Sequence, residues 1–147
     1  MDHLERLILA WQVTGREAYA HKARSIILAW TDRYIPSANA INDNKLDPIW
    51  AGYASLRHGF TSQQQAALHE WMRRIAQGMM DSAARGQNTG NNWQTKRIKI
   101  VATIGWTLNQ PDLLQWARDQ YAIYVQNNFY PDGTSRDLKQ RDALHYH

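Results

Sequence analysis

The stretch LILAWQVTGREAYAHKARSIILAW, residues 7–30, predicts a helical hairpin. Apolar residues recur at helical spacing up to Trp11, and the pattern then breaks at Gly15. A second run with the same period begins at Ala18 and continues to Tyr34. Because a single hairpin cannot bury its own apolar stripe, further helices are expected to cover it.

The same helical period recurs along the rest of the chain, between segments rich in Asn, Gly and Pro. The polar segment SANAINDNK, residues 37–45, predicts a loop, and Ser62 is the expected N-cap of the longest helix, which ends in ARGQNTGNN. The predicted fold class is therefore all-α, with helices in short-linked antiparallel pairs. Beyond the first hairpin we expect helices over about 47–58, from Ser62 to about 84, over about 93–108 and 112–127, and from near Arg136 onward.

An internal echo supports the pairing of helices. The segment AWQVTGREAYAHKAR at 10–24 resembles GWTLNQPDLLQWAR at 105–118: each closes one helix with a Trp and opens the next after a polar turn. Repeated hairpins indicate an array, either a superhelical solenoid or a closed α/α toroid, and a ring of about six hairpins would need roughly twice this length. We therefore expect residues 1–147 to form one domain that is part of an α/α toroid, truncated at one or both ends.

Composition narrows the class of protein. Hydrophobic residues make up 44% of the chain and include seven tryptophans and seven tyrosines, which excludes a disordered chain. With 17 Lys and Arg against 13 Asp and Glu, the net charge of +4 favours an anionic partner such as nucleic acid, an anionic lipid surface or an acidic polysaccharide. The basic residues are spread along the chain and match no nucleic-acid recognition motif, so no nucleic-acid partner is expected.

Further exclusions come from what the sequence lacks. The absence of cysteine excludes disulfides and thiolate metal sites. The first twelve residues lack the basic start and long apolar run of a signal peptide. No apolar stretch approaches the roughly 20 residues that span a bilayer, so no membrane partner is expected.

Three stretches carry side chains suited to chemistry: GNNWQTKR at 90–97, YPDGTSRD at 130–137 and RDALHYH at 141–147. The two asparagines at a helix start could cap the helix, or could present an amide to a substrate carboxylate. Tyr146 has basic residues upstream, and neighbouring cations bring a phenol into range for proton transfer. An amide that neutralises a carboxylate, together with such a tyrosine, is the inventory for β-elimination on a uronic acid.

Two other functions fit parts of the sequence. A toroidal glycoside hydrolase would need two carboxylates flanking the scissile bond, and the candidates Asp132, Asp137 and Asp142 all cluster in one turn and helix start. A non-catalytic helical-repeat binding or scaffold protein would use the tryptophans as core and the basic excess as a solvated face.

Taken together, the hairpin at 7–30, the pair in NNW, PDGT and the terminal ALHYH resemble the alginate-lyase-like polysaccharide lyases. The resemblance implies an α/α-toroid catalytic domain, an anionic polysaccharide substrate, a periplasmic or secreted location, and no metal or other cofactor. It implies that Asn92 neutralises the uronate carboxylate and that Tyr146 transfers protons at the scissile bond. The further catalytic candidates are His145, Lys139 and Arg141, and the substrate-binding candidates are Asn91, Trp93, Arg97 and Arg136.

The chain departs from that family pattern at two positions. Trp93 stands where alginate lyases carry a catalytic histidine, and Trp93 is therefore either a sugar-stacking or a core residue. Lys139 stands where the family has an arginine, and lysine lacks the bidentate fork of a guanidinium. The departures favour another polyuronate, such as a glucuronan, or a fragment without activity, and the isolated chain is expected to be poorly active.

Overall fold

The computed structural model describes residues 1–141, and within them the chain is all-α. The predicted fold class is confirmed, since helices account for almost all of the regular structure and the one strand-like feature in this range is an isolated bridge between Phe129 and Ser135. The helices are α1 (Asp2–Thr14), α2 (Glu17–Arg33), α3 (Ala40–Asp43), α4 (Asp47–Leu56), α5 (Ser62–Ala84), α6 (Asn92–Leu108), α7 (Pro111–Asn128) and α8 (Arg136–Arg141), with 3₁₀ turns at Asn44–Leu46 and Arg57–Gly59.

The two predicted hairpins are present. Gly15 ends α1 in the left-handed conformation, with φ of 66°, and α2 then packs back along α1. Asn109 ends α6 in the same conformation, with φ of 53°, and Pro111 begins α7, which packs along α6. Both turns combine a left-handed residue with a short connection, which forces neighbouring helices to run antiparallel.

Two local predictions were wrong. The segment at 37–45 is not all loop, because the Asn39 side chain accepts from the backbone N–H groups of Ile41 and Asn42 and so starts the short helix α3. The N-cap of α5 is Thr61 and not Ser62. Its hydroxyl accepts from Gln64 N at 3.2 Å, and the Gln64 side chain accepts from Thr61 N at 2.9 Å, so the two residues form a capping box.

The apolar core lies among α1, α2, α4 and α5, with α6 closing one side. Trp50 and Trp71 are fully buried with ring centroids 5.5 Å apart, and the Trp71 indole N–H donates to the carbonyl of Tyr34 at 2.9 Å. Gly52 lets α4 approach α1 and α2, because a Cβ there would lie 2.9 Å from Ile8 Cδ1 and 3.0 Å from Ile27 Cδ1.

None of the helices in the described range is both long enough and apolar enough to cross a membrane.

Candidate functional site

A cavity of about 580 Å³ opens where α5 and α7 end and α6 begins. We call it the α6 groove. Its walls come from the loop before α6, from one face of α7 and from the start of α8. The side chains that give it a polar character are those of Thr89, Gln94, Gln120, Tyr124, Gln126, Asn127, Asn128 and Arg136.

The two asparagines at the start of α6 have different roles. Asn91 is the N-cap, and its side-chain oxygen accepts from Trp93 N at 2.9 Å, so the capping interpretation is confirmed for this residue. Asn92 is the first helical residue and is half-buried, and its amide makes no hydrogen bond within residues 1–141. The amide of Asn92 is therefore without a partner in the described range, two residues along the chain from Gly90 of the groove wall.

Two of the predicted substrate-binding residues point into the protein. Trp93 is partly buried against the core cluster, as its core interpretation expects. Arg97 is only 1% exposed, and its Nη1 donates to Gln94 Oε1 at 3.1 Å. Burial, followed by the nearby Arg85, lowers the pKa of Arg97, although a guanidinium still keeps its charge at neutral pH. Arg97 can therefore act on the groove only through Gln94.

The two predicted cationic residues Lys139 and Arg136 differ in whether another side chain already engages the charged group. Lys139 Nζ lies 2.6 Å from Asp132 Oδ2 and 4.3 Å from the Tyr130 ring centroid, so this ammonium already has an anion and an aromatic face. Arg136 is exposed, lines the groove and forms no ion pair with any residue of the described range. Arg136 is therefore the better placed of the two for an incoming anion.

The contacts of Asp132 also affect whether the protein could be a glycoside hydrolase. Hydrogen bonds from Lys139 and Thr134 hold the pKa of Asp132 well below its usual range. A carboxyl group that stays ionised cannot protonate a leaving group, so Asp132 does not suit the general-acid role. Asp137 is buried near Tyr124, whereas Asp132 is exposed in its turn.

Tyr124 is the phenol that the structure places in the groove. Burial, followed by the nearby Asp137, raises the pKa of Tyr124, so its hydroxyl stays protonated at neutral pH. It can hydrogen-bond to a ligand but is unsuited to removing a proton. The candidates Tyr146 and His145 lie outside the described residues, as do Asp142, His147 and the Arg141 side chain.

No prediction from the sequence covered three of the amide residues that line the groove, Gln94, Gln120 and Asn128. Glutamine and asparagine are common on surfaces, and α6 and α7 bring these three together only through their packing. A signal was present for Gln94, since Gln94, Ile98 and Val101 are spaced to share one buried stripe of α6 with Arg97. A polar pair on an apolar stripe predicts a buried polar contact.

No group of three or more His, Asp or Glu side chains in residues 1–141 is arranged to hold a metal ion.

The fold and the groove define an all-α hairpin protein with a polar cleft that an exposed arginine lines. The family model for alginate lyase matches residues 6–147, so the chain belongs to the alginate lyase family. Membership of this family indicates polysaccharide lyase activity in general. Searches of curated proteins and of solved structures found no match to the chain.

Proposed function

We propose that this protein is a polysaccharide lyase that cleaves a uronic-acid polymer by β-elimination, with the α6 groove as part of its substrate cleft. The observation that carries the proposal is a groove lined by side-chain amides and by Arg136, a cation without an ion pair in the described range, with the unpartnered amide of Asn92 two residues beyond Gly90 of the groove wall. Amides suit sugar hydroxyls, and a guanidinium suits the carboxylate of a uronate.

Neutralising the substrate carboxylate is the first requirement of this reaction. The proton to be removed lies on C5, next to the carboxylate, and its removal places negative charge on the carboxylate oxygens. In the proposed arrangement the Asn92 amide and the Arg136 guanidinium donate to these oxygens. Lys139 is a weaker candidate because Asp132 and the Tyr130 ring already engage its ammonium group.

Proton transfer is assigned to Tyr146 on the strength of the family match. A base removes the C5 proton, the electron pair forms the C4–C5 double bond, and the bond from C4 to the glycosidic oxygen breaks. The departing oxygen takes a proton, which the same tyrosine can return. His145 and Arg141 are proposed to support this step by stabilising the phenolate.

The substrate is proposed to be a polyuronate other than alginate, such as a glucuronan. This choice rests on Trp93 and Lys139, which stand where alginate lyases carry histidine and arginine. Trp93 packs against the core, so it does not replace the missing histidine in the groove. The family also suggests an extracellular or periplasmic location.

The test is an assay for unsaturated product with alginate, glucuronan and hyaluronan as substrates. Elimination gives a fragment that absorbs ultraviolet light and is lighter by one water molecule than the product of hydrolysis. We expect N92A to lose at least about 100-fold in activity, since removal of one charge-stabilising donor has this effect in other enzymes. The matched control is N42A, which removes an exposed asparagine of α3 that does not line the groove. A hydrolysis product, or equal activity in N92A and N42A, would contradict the proposal.

A further inference from the structure

Arg97 is a buried cation without an anion. It is 1% exposed, forms no ion pair with any residue of the described range, and its Nε has no hydrogen-bond partner there. An arginine that loses its hydration without gaining a counter-charge is costly to the folded state. A purely structural role would favour an apolar side chain of similar volume at this position.

Arg97 determines how the side-chain amides of Gln94 and Gln120 are oriented. A guanidinium can only donate, so the end of the Gln94 side chain that faces Arg97, at 3.1 Å, must be the oxygen Oε1. Gln94 Nε2 therefore points away from Arg97 and donates to Gln120 Oε1 at 3.0 Å. Gln120 then has its nitrogen, Nε2, left over, with no partner in the described part of the chain.

We call the series of hydrogen bonds from Arg97 through Gln94 to Gln120 the relay, and its last residue lies in the groove. Gln94 and Gln120 both line it, although Gln94 is only 3% exposed. Since Arg97 is charged, each hydrogen bond of the relay is polarised in the same direction, and the N–H groups of Gln120 become better donors. The relay thus carries part of the effect of a buried positive charge to the groove wall.

Gln120 begins a stripe of polar side chains on α7. Tyr124 and Asn128 follow at intervals of four residues, so the stripe extends over about 12 Å at a rise of 1.5 Å per residue. Asn128 is 3% exposed, its Nδ2 donates to the carbonyl of Tyr124 at 3.0 Å, and its Oδ1 has no partner. The stripe offers the Gln120 N–H groups at one end, while at the other end Asn128 Oδ1 is buried beneath the groove surface.

We propose that Gln120 contacts a uronate carboxylate in the groove and that Arg97, acting through Gln94, is the positioning residue that presents the Gln120 N–H groups to it. The inference rests on the proposed function, because it takes the groove to hold a uronic-acid oligosaccharide. It assigns preference for charged over neutral sugars partly to a residue that never touches the ligand.

The test compares the binding of two ligands by calorimetry. One is a uronic-acid tetrasaccharide, and the other is the same tetrasaccharide with its carboxylates reduced to alcohols. In R97M both amides are free to rotate, so we expect affinity for the charged tetrasaccharide to fall about tenfold and affinity for the neutral one to change little. Q120A is expected to behave like R97M. The matched control Q115A, which removes an exposed glutamine from another part of α7, should bind like the wild type.

A second measurement separates positioning from structural support. R97K keeps a charged group that can only donate, so it should restore most of the lost affinity. Thermal unfolding of R97M should occur at or above the wild-type temperature, since an unpaired buried charge has been removed. Lower thermal stability with equal loss of affinity for both tetrasaccharides would overturn the inference.

The outcomes also distinguish this inference from the proposed function. If the wild type binds the charged tetrasaccharide and R97M and Q120A bind it equally well, the relay is refuted and the lyase proposal stands. If the wild type binds neither tetrasaccharide, the proposed function fails along with the inference.

Discussion

Two regions of the molecule bury different kinds of side chain. One is the apolar core around Trp50 and Trp71, and the other is the α6 groove. In the core, the large buried side chains are mostly apolar; the Trp71 N–H donates to a carbonyl 2.9 Å away, and the Trp50 N–H has no partner within the described residues. At the groove, the deeply buried side chains of Arg97 and Asn128 are polar, and each also keeps an atom without a partner there. The first region gains stability from burial, and the second gives up stability to hold polar groups in place.

Because the two regions differ in this way, mutations can separate effects on stability from effects on ligand binding. Substitutions in the core should change the free energy of unfolding and leave the ligand preference of the folded protein unchanged. Substitutions at the groove should change ligand binding at little cost in stability. A core substitution that changes ligand preference, or a groove substitution that strongly lowers stability, would count against this division.

The largest effect is expected for W71A in the core. Trp71 is fully buried against Trp50, and its removal leaves a cavity as well as an unpaired carbonyl at Tyr34. Urea denaturation should show a loss of about 3–5 kcal/mol in the free energy of unfolding. W106F is the control, because Trp106 is 80% exposed, and a comparable loss there would contradict the division.

A smaller loss is expected for G52A, which adds a methyl group where three helices meet. The new Cβ would lie 2.9 Å from Ile8 Cδ1, so denaturation should show a loss of about 1–3 kcal/mol. The double variant G52A/I8V removes that Cδ1 and should recover part of the loss, as a double-mutant cycle would measure. Strictly additive effects of the two substitutions would show that the contact is not the cause.

At the groove, N128A should leave stability almost unchanged. It removes one hydrogen bond to the carbonyl of Tyr124 and also removes the unpartnered Oδ1, so the two effects oppose each other. We expect a change of less than about 1 kcal/mol in the free energy of unfolding. Binding of a uronic-acid tetrasaccharide should weaken in the same variant. A large loss of stability with unchanged binding would reverse the roles assigned to the two regions.

The smallest expected effect is a pH dependence of the free energy of unfolding that arises from His69, which contacts the core residue Tyr53. His69 Nε2 lies 2.6 Å from the Tyr53 hydroxyl, and burial, followed by Arg73 and Arg57, lowers the pKa of His69. The unfolded chain therefore takes up this proton at a higher pH than the folded chain. The stability contribution is present above about pH 6.5 and is lost as the pH falls through the lower folded pKa.

H69Q tests this contribution, since glutamine keeps an acceptor for the Tyr53 hydroxyl but has no proton to gain. The free energy of unfolding of H69Q should fall less than that of the wild type between pH 7 and acidic pH. Parallel curves for the two proteins would exclude His69 as the source.

Most of the fold was predictable because the helices are long and periodic. The turn at Gly15 and the start of α7 at Pro111 carry strong local signals, and both lie where the sequence predicts them to within a residue or two. The four-residue helix α3 is too short to show a period, and its cap at Asn39 lies inside a polar segment. The cap of α5 was misplaced by one residue because Thr61 and Ser62 are chemically similar, and only the reciprocal bond from Gln64 distinguishes them.

The groove was less predictable because its residues come from four helices and the loop before α6. The start of α6 at the asparagine pair follows from local rules, but the burial of Arg97 does not, since arginine is rarely fully buried. The pairing of Gln94 with Gln120 joins positions 26 residues apart and depends on how α6 and α7 pack. The engagement of Lys139 by Asp132 depends likewise on the shape of the turn between α7 and α8.

The most direct test of the central claim, that the α6 groove binds a uronic-acid chain, is an NMR titration with a uronic-acid tetrasaccharide. Signals of Gly90, the Asn92 amide and the side-chain amides of Gln94, Gln120 and Asn128 should shift together and saturate, while signals of the core around Trp50 stay in place. Shifts concentrated instead at a second cavity, which Trp30 and Tyr34 line at the end of α2, or no saturable shift at the groove, would contradict the claim.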